Sequence, residues 1–122
     1  MCILIVDDNR DILDLLDHVL SSDGYKVIAA RDGFSALEQE RLNNPDLVIL
    51  DVNLPGINGW DVCRIIKQRR DVPVMLLTVR AEMADMERSR EVGAEDHILK
   101  PFEIPSFLER IERFATRSLP YQ

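Results

Sequence analysis

LVILDVNLPGING, residues 47–59, sets a wholly apolar run, Leu47 to Leu50, directly before one carboxylate, Asp51. Asn53, Pro55, Gly56, Asn58 and Gly59 follow, all turn formers. A short apolar run closed by turn residues reads as a strand, because a helix needs a longer periodic stretch. A strand without polar alternation is covered on both faces, as in a parallel sheet. The stretch therefore poses a question about chemistry: why a buried strand delivers a single carboxylate to a constrained loop.

Runs of the same kind flank it. Met1–Val6, Lys26–Ala30, Val74–Thr78 and the short His97–Leu99 read as strands. The stretches between them read as helices. Over Asn9–Ser22, Ile12, Leu15, Leu16 and Val19 cluster at roughly 100° per residue, with Leu13 and Leu20 at the edges of the arc. Asp8 or Asn9 caps the start, and Gly24 lies just past the end. Phe34–Leu42 closes on Asn43-Asn44-Pro45. Gly59–Arg69 carries Val62, Ile65 and Ile66 on one side and breaks at Asp71-Val72-Pro73. Ala81–Val92 ends at Gly93, and Ile104–Arg117 holds Pro105 in its first turn, where proline is tolerated. The segment 81–92 has a thin apolar stripe, mainly Met83, Met86 and Val92, among Glu82, Asp85, Glu87, Arg88, Arg90 and Glu91. Little area to bury predicts the most mobile regular element. Five strand–helix alternations predict a single (βα)5 doubly wound α/β domain, a parallel sheet with helices on both faces.

The chain of 122 residues is long enough for one real core, and it shows no internal repeat or second domain. The final LPYQ reads as a tail or the start of a linker, which places the domain at 1–118 and leaves 119–122 outside it. Net charge is −7 and the sequence pI about 4.8. With no excess of Lys and Arg to displace counterions, direct nucleic-acid binding by this domain is not expected. Cys2 and Cys63 form neither a disulfide framework nor a metal-ligand spacing, so they read as reduced thiols. No stretch approaches the ~18–20 apolar residues of a membrane span. Asp7 and Asp8 interrupt the N-terminal apolar run, which argues against a signal peptide. The expected compartment is the cytoplasm, without membrane contact.

In open parallel sheets, ligands bind outside the carboxyl ends of the strands, where strand order reverses. Here the polar residues stand where strands stop. The first strand ends in Asp7-Asp8, the third in Asp51, the fourth in Thr78 and the fifth in Lys100, followed by Pro101. Three converging carboxylates either titrate upward or hold a cation. Lys100 alone is too little charge for three. Oxygen ligands suit a hard cation, Mg²⁺ first and Mn²⁺ second. Zinc is disfavoured, since His18 and His97 lie on a helix and a strand away from the acids. An acidic site with spare coordination, an ammonium and a hydroxyl is suited to a phosphoryl group.

VDDN at 6–9, LDVNLPGINGW at 50–60, LLT at 76–78 and ILKPF at 98–102 stand in this order along the chain. Together they resemble the response-regulator receiver domains of bacterial two-component signalling, over essentially the whole length. The resemblance implies a flavodoxin-like fold with strand order 2-1-3-4-5. It implies that Asp51 is the phosphoacceptor, taking a phosphoryl group from a phosphohistidine of a sensor histidine kinase or phosphotransfer protein. Asp8, Asp51 and the backbone carbonyl of Asn53 would bind Mg²⁺ directly, and Asp7 through a water. Thr78 and Lys100 would hold phosphoryl oxygens, and the Lys100–Pro101 bond would be cis. Such a domain is a switch rather than a turnover enzyme. It changes the face made by the 81–92 helix, the fifth strand and the last helix to control an output, here expected to be transcription. The alternative is a phosphorylation-independent receiver acting as an interaction module. Such modules lose an acid or the lysine, whereas Asp7, Asp8, Asp51, Thr78 and Lys100 all stand here. A phosphatase with an aspartyl-phosphate intermediate would want an acid two residues after the nucleophile, where this chain has Asn53. A nucleotide- or flavin-binding protein is opposed by the lack of a GxGxxG loop after the first strand.

The sequence departs from the family pattern at informative places. The switch aromatic, three residues before the lysine, is His97, which is either a switch partner of Thr78 or a partly exposed surface residue. The position after Thr78 holds Val79 instead of a smaller residue, which predicts slow autodephosphorylation. Arg80 either covers the phosphoryl group or points into solvent. Leu13 is either the rim of the core or part of a kinase-docking patch. Glu95, Asp96, Arg110 and Arg117 form part of the charge signature by which OmpR-like regulators dimerise, with Met86 and Ser106 breaking it, so only a weak, phosphorylation-dependent homodimer is expected. Phe34, Phe102, Phe107 and Phe114 read as core or near-core. Trp60 reads as a packing residue whose fluorescence reports on the Asp51 loop.

Overall fold

Five apolar runs pair side by side. In the computed structural model, which describes residues 1–79, 87–88 and 90–117, the strands are β1 (Cys2–Val6), β2 (Lys26–Ala30), β3 (Leu47–Asp51), β4 (Val74–Thr78) and β5 (Asp96–Leu99). All pairings are parallel, and the order is β2-β1-β3-β4-β5. The register aligns the carboxyl ends. Val6 stands opposite both Ala30 and Leu50, Asp51 opposite Leu77, and Thr78 opposite Leu99. Residues just past these positions therefore meet at one edge of the sheet.

Parallel strands require crossovers, supplied by α1 (Arg10–Ser22), α2 (Gly33–Asn43) and α3 (Gly59–Arg69), with α4 (Ile104–Arg117) following β5. Residues 87, 88, 90 and 91 are also helical. Val92, expected to close that helix, is a turn residue. Residues 81–86 and 89 of the helix expected over Ala81–Val92 lie outside the described residues, as does the expectation about its mobility. So do the tail or linker at 119–122 and Arg80. Asn9 caps α1, its side chain accepting from the Asp11 and Ile12 N–H groups. Asp32 and Asn58 cap α2 and α3 in the same way. Each cap is worth about 1 kcal/mol.

Alternate residues of the strands feed two cores. Ile3, Ile5, Leu47, Ile49, Met75 and Leu77 pack with Leu13, Leu16 and Leu20 of α1 and with Phe107, Ile111 and Phe114 of α4. Leu4, Val6, Val48, Leu50, Val74 and Leu76 pack with Ala36 of α2 and with Trp60, Val62, Cys63 and Ile66 of α3. A fully buried side chain of this size contributes about 1.5–3 kcal/mol. The two cores fix the sheet edge as a rigid platform.

Two expectations about packing are corrected. The buried row of α1 is Leu13, Leu16 and Leu20, while Leu15 is 48% exposed. Six apolar residues spread over one arc leave the centre of that arc undetermined, and the contact with Ile3, Ile5 and Phe107 selects the row through Leu13. Leu13 is thus core. Phe34 is 65% exposed rather than near-core. Its neighbour Gly33 takes the inward position, so close to the loop that a Cβ there would lie 2.6 Å from the Ile57 carbonyl oxygen. Phe34, one residue on, is turned outward and lies over Gly56. Phe107 and Phe114 are buried, and Phe102 is half-buried against Phe107, with ring centroids 5.1 Å apart.

Candidate phosphoacceptor site

The site begins with the end of β1. Asp7 is 1% exposed. Its Oδ1 accepts from the Asn9 N–H at 3.0 Å, and its Oδ2 accepts from Lys100 Nζ at 2.7 Å. The residue that caps α1 therefore also orients the first carboxylate. Asp51, the last residue of β3, is likewise buried. Its Oδ1 accepts from the Asn53 N–H at 3.1 Å and its Oδ2 from Lys100 Nζ at 3.2 Å. Asp8 is exposed, yet Asp7, Asp8 and Asp51 each bring one carboxylate oxygen to within 4.8 Å of the others. Lys100 follows β5, its N–H donates to the Thr78 carbonyl at 2.7 Å, and the Lys100–Pro101 bond is cis. Thr78 ends β4 and is buried, one step past Leu77, the partner of Asp51.

The electrostatics follow from this crowding. Burial pushes the Asp51 carboxyl upward. The Asn53 N–H bond pulls it back, the charge of Asp7 raises it further, and Lys100 lowers it, but the net shift is upward. For Lys100, burial disfavours the ammonium. The hydrogen bond from Lys100 to Asp7 and the charges of Asp51 and Asp7 outweigh burial, and the net shift is upward. One ammonium thus serves two buried carboxylates, with a third carboxylate on the solvent side. All-oxygen donors with surplus negative charge match a hard divalent cation and offer no ligand set for a soft one.

The other residues singled out by sequence are placed as follows. His97 is half-buried on β5 opposite Leu76, two residues back from the edge, and His18 lies exposed on α1. Val79 is 65% exposed and borders a groove of about 340 Å³ lined also by Ile12, Leu15, Pro101 and Phe102, with Lys100. Glu95 accepts from Lys67 Nζ at 2.5 Å and from the Val74 N–H at 3.0 Å, and Asp96 pairs with Arg110 at 2.9 Å. These charges have partners inside the chain. Met86 and the Arg117 side chain lie outside the described residues, and Ser106 is exposed. Burial pushes the Cys63 thiol up to about 12, which keeps it neutral. Among the described residues, no helix is long and apolar enough to cross a membrane.

Two supporting residues escaped the sequence reading. Asn9 holds Asp7, a link foreshadowed by the Asp-x-Asn spacing of an Asx turn. Gly59 opens α3 against the end of β3. A Cβ at Gly59 would lie 2.2 Å from the Asp51 carbonyl oxygen and 2.6 Å from Val52 Cα. A glycine just after an N-cap, where no positive φ is needed, is the signal for such an approach.

The family model for the response regulator receiver domain matches residues 3–112. The DNA-binding response regulator MtrA of Mycolicibacterium paratuberculosis is 39% identical over 116 residues, which is 95% of this chain and 52% of that protein. The response regulator ArlR of Staphylococcus haemolyticus is 36% identical over 115 residues, 94% of this chain and 52% of that one. The chain spans about half the length of the curated relatives it matches. Among solved structures, the chemotaxis protein CheY4 of Vibrio cholerae aligns with a TM-score of 0.88 at 28% identity, covering 93% of this chain and 97% of that one. The receiver domain of a signal transduction histidine kinase from Syntrophus aciditrophicus aligns at 0.90 and 34% identity, covering 98% and 92%. With its flavodoxin-like sheet and an acidic cluster at the carboxyl ends of the strands, the chain belongs to the response regulator receiver domains, the phosphoacceptor modules of two-component signalling.

Proposed function

We propose that the domain is a phosphorylation-operated switch in which Asp51 accepts a phosphoryl group from a phosphohistidine on a sensor kinase or phosphotransfer protein. The observation that carries this reading is the single Lys100 ammonium shared by Asp7 and Asp51, with Asp8 completing the acidic cluster. An Asp51 oxygen attacks phosphorus, the N–P bond breaks, and the imidazole leaves. A carboxylate is a modest nucleophile, so the rate must come from position and charge neutralisation. Asp8, Asp51 and the Asn53 carbonyl would hold Mg²⁺, or Mn²⁺ in its place, with Asp7 reaching it through a water. Bound there, the cation supplies positive charge against a phosphoryl group that spreads its own over three equatorial oxygens. Lys100 turns from the two carboxylates to a second oxygen, and the Thr78 hydroxyl donates to the third. A preorganised donor of this kind is worth on the order of 2.7–4 kcal/mol in the transition state.

The groove beside Lys100 supports a helical kinase surface as the donor's carrier, since Leu15 and Val79 stand exposed along it. Val79 next to Thr78 favours slow autodephosphorylation. A lifetime of seconds that Val79→Ala leaves unchanged contradicts that point. Thr78 and His97 are the proposed switch pair. The output face comprises the 81–92 segment, β5 and α4, and transcription in the cytoplasm is the proposed end point, through an effector domain joined at 119–122. Dimerisation through that face is proposed to be weak, because Asp96 must exchange its partner Arg110 to reach a second copy. Intact-mass measurement after mixing with a phosphorylated histidine kinase and Mg²⁺ tests the acceptor function. One added phosphoryl group is expected in the wild type and none in Lys100→Met. Transfer at the wild-type rate in Lys100→Met overturns the reading.

A further inference from the structure

Trp60 is the only tryptophan in the chain and the second residue of α3. It is buried, and the Arg88 guanidinium carbon stands 5.4 Å from its ring centroid. Indole is the strongest aromatic partner for a cation, and the attraction fades beyond about 6 Å. Two more contacts join the same face of α3 to the same stretch of chain. One turn on, the Cys63 thiol donates to the Val92 carbonyl at 3.5 Å. One further turn on, Lys67 pairs with Glu95 at 2.5 Å, and its side-chain stem runs beside Gly93. Positions 60, 63 and 67 form one helical stripe. The stripe fastens Arg88, Val92 and Glu95 along the length of α3.

The other end of this strut bears on the acceptor. Gly59, immediately before Trp60, donates its N–H to the Val52 carbonyl at 2.8 Å, and its Cα faces the Asp51 carbonyl with no room for a methyl group. The Asp51–Val52 peptide therefore cannot shift without moving the start of α3. We infer that the Arg88–Trp60 contact is a latch on the unphosphorylated arrangement, opened when Asp51 is charged. The inference rests on Asp51 being the acceptor. A phosphoryl group adds about 1.5–2 negative charges beside Asp7 and Asp8 and draws Lys100 off both carboxylates. The acceptor peptide must adjust, and α3 carries the adjustment to Trp60. A cation already near the outer limit of its attraction loses the contact with a displacement of well under 1 Å. The latch reaches the output side through α3, separately from the path through Thr78.

The test compares wild type, Arg88→Met and Arg88→Lys, using beryllofluoride with Mg²⁺ as the phosphoryl mimic. Bound fluoride is followed by ¹⁹F resonance and Trp60 by its emission. The latch predicts that Arg88→Met binds the mimic about two- to fivefold tighter than wild type, the equivalent of one cation–π contact released. Its emission before binding should already match that of the bound wild type. Arg88→Lys should restore wild-type affinity and emission. Equal or weaker binding by Arg88→Met, or an unchanged emission shift, overturns the latch while leaving the acceptor intact. A wild type that shows no bound fluoride removes the acceptor reading itself, and the latch with it.

Discussion

Gly59→Ala tests whether the acceptor is held by backbone packing. The added Cβ would lie 2.2 Å from the Asp51 carbonyl oxygen, 2.6 Å from Val52 Cα and 2.9 Å from the Asp51 carbonyl carbon. All three are backbone atoms, so no side-chain rotation relieves the clash. Ordinary contact begins near 3.4 Å, so α3 and the acceptor peptide must part by about 1 Å. Overpacking of this kind costs about 1–3 kcal/mol of stability. A reacting group displaced by about 1 Å loses on the order of 100-fold in rate. Gly24→Ala is the control. Gly24 has a positive φ, of 92°, but a Cβ there meets nothing within 4 Å. Forcing alanine into that conformation costs about 1–2 kcal/mol without touching the site. Urea denaturation gives both stabilities, and phosphotransfer from a phosphorylated kinase gives both rates, measured where each variant is fully folded. The expected result is comparable destabilisation with transfer lost only in Gly59→Ala. Wild-type transfer in Gly59→Ala, or equal loss in both variants, refutes the packing argument.

Lys100→Met should cost about 3–5 kcal/mol at neutral pH, because Asp7 and Asp51 are left buried without a cation. The cost should shrink on acidification and on adding Mg²⁺, as urea titrations across pH will read. Asp51→Asn should change the pH dependence in a defined direction. The folded carboxyl titrates above its unfolded value of about 3.9, so its contribution favours the fold below that value and is lost as pH rises through the folded pKa. The wild type should therefore lose stability relative to Asp51→Asn over that interval, and superimposable curves would count against the shift. Leu15→Asp should leave the fold within about 0.5 kcal/mol while slowing transfer. Leu13→Asp should unfold the domain, and circular dichroism separates the two.

The placement of the candidate site was legible in the sequence because it stands where strands stop. Asp7, Asp51, Thr78 and Lys100 each close or follow an apolar run, and a parallel register brings such positions to one edge without further information. The element boundaries were legible for the same reason, down to Asn9 as one of two candidate caps for α1, whereas Asn58 had read only as a turn former before α3. Residues whose placement depends on tertiary contact were harder. Periodicity put Leu13 at the edge of its arc, and only the sheet could choose between Leu13 and Leu15. Apolar character placed Phe34 near the core, while the tight seat of Gly33 on Ile57 turned it out. Glu95 and Asp96 read as part of a charge signature between two copies, but Lys67 and Arg110 of the same chain, distant in sequence, hold them. The pairing of Arg88 with Trp60 joins residues from separate elements and has no local signal at all.

The central claim is that Asp51 carries the phosphoryl group. Peptide-level mass spectrometry of the chain after transfer from a phosphorylated histidine kinase, with Mg²⁺ and after its chelation, addresses it most directly. The account predicts one phosphoryl group on the peptide containing Asp51, absent without the cation and absent in Asp51→Asn. A phosphoryl group on another residue, or one that persists in Asp51→Asn at wild-type yield, would contradict it.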